Sequence, residues 1–189
     1  MDLDLARLAD ISGDESAGDL WVFGYGSLMW QPGFPFTEQH TAVVSGWRRR
    51  LCIVSHVYRG TPEIPGLVLG LDQGGECVGV AFRVEARRRA HTLSYLRERE
   101  LVSYVYDEKI VRAKLASGDE VDALTYVADT RHGQYSGDLP RSELLAIVRR
   151  ASGISGANSD YVINTHEHLR SLHIDDVELT WLADQLRSA

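Results

Sequence analysis

Trp21-Val22-Phe23-Gly24-Tyr25-Gly26-Ser27-Leu28-Met29-Trp30 opens as an apolar run of strand-forming residues, then meets two glycines flanking a tyrosine and, after them, a serine. A strand ending in such a turn can leave several backbone N–H groups pointing one way. Gly24 and Gly26 allow positive φ and a close approach of a ligand to the backbone. Successive N–H groups of this kind form a concave anion site, suited to a carboxylate or a phosphate. An ordinary strand followed by a glycine turn is the alternative, because short glycine patterns recur without function.

Three better-known glycine turns do not fit. A dinucleotide fingerprint needs a third glycine and a helix to receive the pyrophosphate, but Met29 stands at that place and Gln31-Pro32-Gly33-Phe34-Pro35 would break a helix. A phosphate-binding loop needs Gly-Lys-Ser/Thr, and there is no lysine here. A nucleophile elbow needs glycines two residues either side of its serine; around Ser27 those positions hold Tyr25 and Met29.

Outward from this stretch, residues up to Val84 alternate between short apolar runs and turns. Thr41-Ala42-Val43-Val44 leads through Gly46-Trp47 into a strand over Arg48–Val54, and Arg59-Gly60-Thr61-Pro62-Glu63-Ile64-Pro65-Gly66 reads as a loop. Leu67–Leu71 and Cys77–Val84 read as a hairpin joined by Asp72-Gln73-Gly74-Gly75-Glu76. Several short strands with little helix between them favour a closed or strongly curved sheet.

A first helix is expected from Glu85 to about Leu101, a stretch without Gly or Pro. Stepping about 100° per residue puts Ala90, Leu93, Leu96 and Leu101 on one side, with Glu100 among them. A carboxyl group on an apolar helix face is out of place. Burial would raise its pKa and make it a proton carrier; the other reading is an ion pair with a nearby arginine such as Arg97. Glu98 points away.

Tyr104–Val111 and Asp122–Ala128 read as strands and Asp129–Asp138 as a polar loop. Helices follow after Pro140 (Leu144, Leu145, Ile147, Val148), from Ser159 to Leu172, and from Asp175 or Asp176 to Arg187, the last with Val177, Leu179, Leu182 and Leu186 inward. Residues 1–18, with Leu3, Leu5, Leu8 and Ile11 as a weak apolar patch, read as an N-terminal extension, either disordered or docked as a short helix. A single domain is expected from Asp19 to the end.

The length suits one domain with a sizeable core. A net charge of −7 gives no reason to expect nucleic acid or an anionic membrane as partner. The arginine triplets Arg48–Arg50 and Arg87–Arg89 read as solvated faces. Two cysteines, Cys52 and Cys77, read as buried thiols in a reducing compartment, which together with the absence of a leader-like or spanning segment points to the cytoplasm. The seven histidines, His166, His168 and His173 among them, lack zinc-type spacing and read as surface residues, so no metal is expected.

Three motifs now stand in order: Val22-Phe23-Gly24-Tyr25-Gly26-Ser27-Leu28-Met29-Trp30, the Arg59-Gly60-x-Pro-x-x-Pro65-Gly66 loop, and Arg99-Glu100 at a helix end. Together they resemble the ChaC-type, glutathione-specific γ-glutamylcyclotransferases. The likeness continues through Gln134-Tyr135-Ser136-Gly137 and Asn158-x-x-Tyr161, covering roughly Asp19 to Leu186. It implies an α+β fold, a small mixed β-barrel flanked by helices, and a cofactor-free reaction that converts glutathione to 5-oxoproline and cysteinylglycine. Val22, Phe23, Gly24, Tyr25, Gly26, Ser27 and Leu28 are similar to the family's γ-glutamyl-binding loop, and Glu100 matches its catalytic glutamate.

Arg59 would meet the glycine carboxylate of glutathione, or serve as a structural loop arginine. Many relatives carry Gly-Gly between the glutamate and the next tyrosine, whereas Val102-Ser103 stands there in this chain, so Tyr104 or Tyr106 is the matching tyrosine, with Tyr104 preferred. Ser27 is expected to hydrogen-bond and not to act as nucleophile. The expected partner is the small substrate alone, with the chain a monomer or weak dimer. A cyclotransferase for other γ-glutamyl amines, or a barrel that binds a γ-glutamyl ligand without turning it over, are the alternatives.

Overall fold

The computed structural model describes residues 11–101 and 103–188. Strands β1 (Leu20–Gly24), β2 (Glu38–Ser55) and β3 (Gly66–Val84) come first, followed by helix α1 (Arg89–Glu100) and strands β4 (Tyr106–Leu115) and β5 (Glu120–Ala128). Then come α2 (Arg141–Arg150), the two-residue strands β6 (Ser152–Gly153) and β7 (Gly156–Ala157), α3 (Asn158–Ser171) and α4 (Val177–Arg187). The five long strands close into a barrel in the order β1-β3-β2-β4-β5. This is the α+β barrel with helices that the sequence led us to expect.

The described residues fall into two compact units. One holds the chain up to Arg48 with Gln73–Val127; the other holds Arg49–Asp72 with the residues from Ala128 on. Both β2 and β3 contribute to each unit.

In the first unit, β1 runs antiparallel to β3, with Leu20 opposite Val84 and Gly24 opposite Val80. It runs parallel to β5, with Val22 opposite Leu124. Val22 and Phe23 are adjacent yet both fully buried, so the strand is covered on both faces, which is why it reads as a continuous apolar run. Thr125 Oγ1 donates to the Phe23 carbonyl at 3.0 Å, giving that buried oxygen a partner beside the ladder. Phe34 meets Phe82 edge-on, with centroids 5.8 Å apart. On α1 the buried side chains are Arg89, Thr92, Leu93 and Leu96.

Three features of this unit differ from what its sequence predicts. Gly74 and Gly75 do not make a hairpin. Both take positive φ, 96° and 69°, yet β3 runs on through them from Gly66 to Val84, since positive φ at glycine also occurs within strands and does not by itself reverse the chain. Ala90 is exposed, while its neighbour Arg89 is buried. The Arg89 guanidinium donates from Nε to the Ser12 carbonyl at 2.6 Å and from Nη1 to that of Gly18. That residue is therefore not on a solvated face; it ties residues 12–18 to the helix, and the short 3-10 turn Glu15–Ala17 between them is capped by Asp14. Leu3, Leu5 and Leu8 lie outside the described residues.

The second unit is organised around charge as well as apolar packing. Leu51, Leu67, Leu71, Leu144, Leu169, Leu179 and Leu182 are fully buried in it. Arg50, only 6% exposed, pairs with Asp72 at 3.2 Å and also with Asp138, and the Tyr135 hydroxyl donates to Asp72 at 3.0 Å. Arg49 Nη1 lies 3.1 Å from Asp176 Oδ2, and the other oxygen of Asp176 caps α4 by accepting from Leu179 N. Arg49 and Arg50 are thus buried ion-pair partners and not a solvated face; a buried guanidinium is tolerated only when its charge and donors are met in this way. Val177 occupies the first position of α4 and is 78% exposed, not inward. His166 is buried on α3, and burial holds its pKa below the ordinary value, so it is not a surface histidine. Cys52 and Cys77 are buried thiols outside any disulfide. Burial, with the charge of Asp72 second, pushes the Cys52 thiol up to about 12, which leaves it inert as a nucleophile at neutral pH.

Candidate active site

β1 ends at Gly24, and the chain then passes through Tyr25 and Gly26 into a 3-10 turn over Ser27–Met29. Met29 N donates to the Gly26 carbonyl at 2.9 Å, and Gln31 N to that of Ser27 at 2.8 Å. This geometry leaves the N–H groups of Ser27 and Leu28 without a partner in the turn's own ladder. Neither Gly24 nor Gly26 takes positive φ, as the sequence had suggested for them; Gly26 sits at φ −132°, ψ −133°. Gly24 is required by close approach instead, since a Cβ there would stand 2.9 Å from Leu28 Cβ. The turn folds back directly over the end of its own strand. Tyr25, Leu28 and Met29 are buried beneath it, and Ser27 faces outward.

Glu100 is the last residue of α1. Its side chain is 20% exposed, and Oε1 lies 3.1 Å from Arg99 Nε. Burial pushes its pKa above the ordinary carboxylate value, and the adjacent Arg99 charge and hydrogen bond oppose that rise without cancelling it. Arg97, considered from the sequence as a partner, is engaged elsewhere: it grips Glu108 with Nε and Nη2, each at 2.9 Å. The Tyr126 hydroxyl donates to the same carboxylate at 2.9 Å. Glu98 accepts from Ser94 on the exposed side of the helix.

The guanidinium of Arg99 carries the link between these elements. Nη2 donates to Ser27 Oγ at 2.9 Å, and Nη1 donates to the Gln31 carbonyl at 2.7 Å and to the Tyr95 hydroxyl at 3.0 Å. A single planar group therefore separates the Glu100 carboxylate from the Ser27 turn. Tyr95 and Arg99 stand four residues apart, on one face of α1. Gly33 at φ 76° passes so close that a Cβ would lie 1.9 Å from the Tyr95 hydroxyl. Nothing in the sequence marks the Arg99–Ser27 bond, because the two residues stand 72 positions apart.

The remaining candidates lie as follows. Arg59 donates from Nη1 to the carbonyls of Ser155 and Ala157, and its guanidinium carbon stands 5.3 Å from the centre of the Tyr161 ring. Tyr104 is 75% exposed at φ 53°, a left-handed conformation that costs a non-glycine residue about 1–2 kcal/mol. Tyr106 opens β4 and is half-buried. Among the described residues no group of His, Cys, Asp and Glu is arranged to hold a metal ion. None of the described helices is long and apolar enough to cross a membrane.

A small closed five-stranded barrel with flanking helices is the γ-glutamylcyclotransferase fold. The crystal structure of a glutathione-specific γ-glutamyl cyclotransferase from yeast superposes with a TM-score of 0.80 at 21% identity, over 90% of this chain and 96% of that one. The chain belongs to the ChaC-like protein family, whose pattern matches residues 20–189. It is 35% identical over 159 residues to the glutathione-specific γ-glutamylcyclotransferase of Escherichia coli K12, covering 84% of this chain and 69% of that protein. It is 33% identical over 162 residues to the human glutathione-specific γ-glutamylcyclotransferase 1, covering 84% and 72%. With γ-glutamylcyclotransferase 2-3 of Arabidopsis thaliana it shares 33% identity over 176 residues, 89% and 88% of the two chains.

Proposed function

We propose that this protein is a glutathione-specific γ-glutamylcyclotransferase, with Glu100 as its one acid–base residue. The observation that carries the reading is the Glu100 carboxylate, largely withdrawn from water and one guanidinium away from the Ser27 turn. Family membership and the names of the relatives support the substrate.

The reaction is an attack of the substrate's α-amine on its own γ-carbonyl carbon, closing a five-membered lactam. Amine and carbonyl belong to one molecule, so holding it folded removes most of the entropic barrier. Glu100 takes a proton from the α-ammonium, which frees the nitrogen lone pair. The new C–N bond forms as the carbonyl electrons move onto oxygen. When that oxyanion collapses, the bond to the cysteinyl nitrogen breaks, and Glu100 returns a proton to the leaving amine. The lactam nitrogen sheds its extra proton and cysteinylglycine leaves as an ammonium, so the proton count closes. A carboxyl with a raised pKa suits both halves of this cycle near neutral pH.

In this scheme the Ser27 and Leu28 N–H groups hold the α-carboxylate or the oxyanion. Val22 to Gly26 shape the γ-glutamyl pocket, and Tyr104 or Tyr106 borders it. Arg59 reaches the glycine carboxylate with the donors that its backbone contacts leave over. No covalent intermediate is called for, and Ser27 keeps its hydroxyl as a hydrogen-bonding group. The chain works from Asp19 onward as one domain, without a cofactor, as a monomer or weak dimer in the reducing cytoplasm. The buried, unbridged thiols of Cys52 and Cys77 support that setting.

The nearest rival is a cyclotransferase for other γ-glutamyl amines. Release of 5-oxoproline from glutathione and from γ-glutamyl dipeptides, measured side by side, separates the two. Glutathione should be the better substrate by at least about tenfold in kcat/KM, the worth of one charge-assisted contact to the extra glycine. Equal or better turnover of the dipeptides would favour the rival.

A further inference from the structure

We propose that Arg99 is a positioning residue for the reaction: its guanidinium sets the distance between the Glu100 carboxylate and the Ser27 turn. This rests on the cyclotransferase reading for its catalytic part, and on geometry alone for its structural part.

An arginine has five N–H donors in a fixed plane. In Arg99, Nε faces Glu100 at 3.1 Å and Nη2 gives one hydrogen to Ser27 Oγ at 2.9 Å. Nη1 is divided between the Gln31 carbonyl at 2.7 Å and the Tyr95 hydroxyl at 3.0 Å, with the Pro32 carbonyl at 3.5 Å. Four of the five donors are committed to the protein. A group so fully used does not grasp substrate; it holds other groups still. The elements it joins are the helix that ends in the proton carrier, the turn with the open N–H groups, and the segment following that turn. Lysine has one donor head and cannot span these acceptors in one plane.

The same contact acts on the proton affinity of Glu100. Burial raises that affinity, and the Arg99 charge is the opposing influence. The other groups facing this neighbourhood are Tyr126, which senses the Glu100 charge, and the Glu108–Arg97 pair bound to its hydroxyl. Arg97 is committed to Glu108, which leaves Arg99 as the cation in contact with Glu100 among the described residues.

The test compares wild type, R99Q and R99K in two measurements. The first is a carbon-13 NMR titration of side-chain carboxyls in glutamate-labelled protein, with Glu100 assigned by the signal missing in E100Q. It needs no substrate. The Glu100 midpoint should move up in R99Q by about one pH unit or more, the size an adjacent opposite charge imposes, and stay near wild type in R99K. The second measurement is the pH profile of 5-oxoproline release from glutathione. R99Q should lose about 10²-fold in kcat with KM changed by less than about threefold, as expected when a reacting group is misplaced by about 1 Å. Its acid limb should move up with the NMR midpoint, whereas R99K should lose kcat without that displacement.

An unchanged Glu100 midpoint in R99Q, or wild-type kcat in either variant, overturns the proposal. If R99Q fails to fold, R99K decides on kcat alone. If wild type releases no 5-oxoproline, the cyclotransferase reading and with it the catalytic role fail, while the titration still decides whether Arg99 governs the Glu100 carboxyl.

Discussion

Glu100 Oε1 lies 3.1 Å from Arg99 Nε at the C-terminal end of a helix, and that contact does not neutralise what burial does to the carboxyl. The native state holds the Glu100 proton at pH values where an unfolded chain has lost it. Stability from this group is therefore full below the ordinary carboxylate value and is lost as pH rises through the raised native value. Glu100→Gln removes the titration and can still accept a hydrogen bond from Arg99. Urea midpoints measured from about pH 4 to pH 8 should fall less steeply with pH for E100Q than for wild type. A variant whose midpoint falls more steeply would contradict the burial assigned to Glu100.

Gly24 tests the turn. A methyl group there would stand 2.9 Å from Leu28 Cβ and 3.3 Å from Met29 N, so the 3-10 turn must lift away from the strand. Gly24→Ala should cost about 1–3 kcal/mol of stability as overpacking. It should also cost about 10²-fold in kcat/KM, because the N–H groups of Ser27 and Leu28 move with the turn. Thermal melts and 5-oxoproline release check both. Unchanged activity would remove the turn from the site.

Arg59 separates a substrate contact from a structural tie. Its Nη1 is spent on the Ser155 and Ala157 carbonyls, leaving donors that can meet a carboxylate. Arg59→Ala should raise KM for glutathione by about tenfold, the worth of one charge-assisted hydrogen bond. For a γ-glutamyl dipeptide that lacks the glycine, KM should change far less. An equal loss on both substrates together with a lowered melting temperature would make Arg59 purely structural.

Asn158 is a structural prediction independent of chemistry. Fully buried, it accepts from Leu67 N at 2.7 Å and donates to Leu67 O at 2.8 Å, acting as one more rung for β3. Asn158→Ala leaves both groups without partners and should cost about 2–5 kcal/mol in chemical denaturation. A loss below about 1 kcal/mol would mean that water fills the gap.

Much of the barrel was legible because its signals are local. The run Trp21–Gly24 is apolar at successive positions, as a strand buried on both faces must be, and Leu93 and Leu96 repeat at helical spacing. What escaped depends on distant partners. Arg50 is buried through Asp72 and Asp138, 22 and 88 residues away, and Arg89 through the Ser12 and Gly18 carbonyls. Local pattern cannot distinguish such arginines from solvated ones. The pair Gly74-Gly75 failed for another reason: positive φ is required equally by a tight hairpin and by a bulge. β6 and β7, two residues each, are too short to leave any periodicity. The helical position of Glu100 was readable, but its bond to Arg99 and the further bond to Ser27 were not, since these needed the turn to come back against the helix end.

The central claim is that one carboxyl performs the proton transfers of an intramolecular cyclisation. Purified wild type and E100Q should be incubated with glutathione, without added metal, while 5-oxoproline and cysteinylglycine are quantified. Wild type should release the two in equal amounts. E100Q, folded and still stabilised by glutathione in a thermal melt, should be slower by at least about 10²-fold, the lower size of an acid–base contribution. Near-wild-type turnover by E100Q, or no product from wild type, would contradict the account.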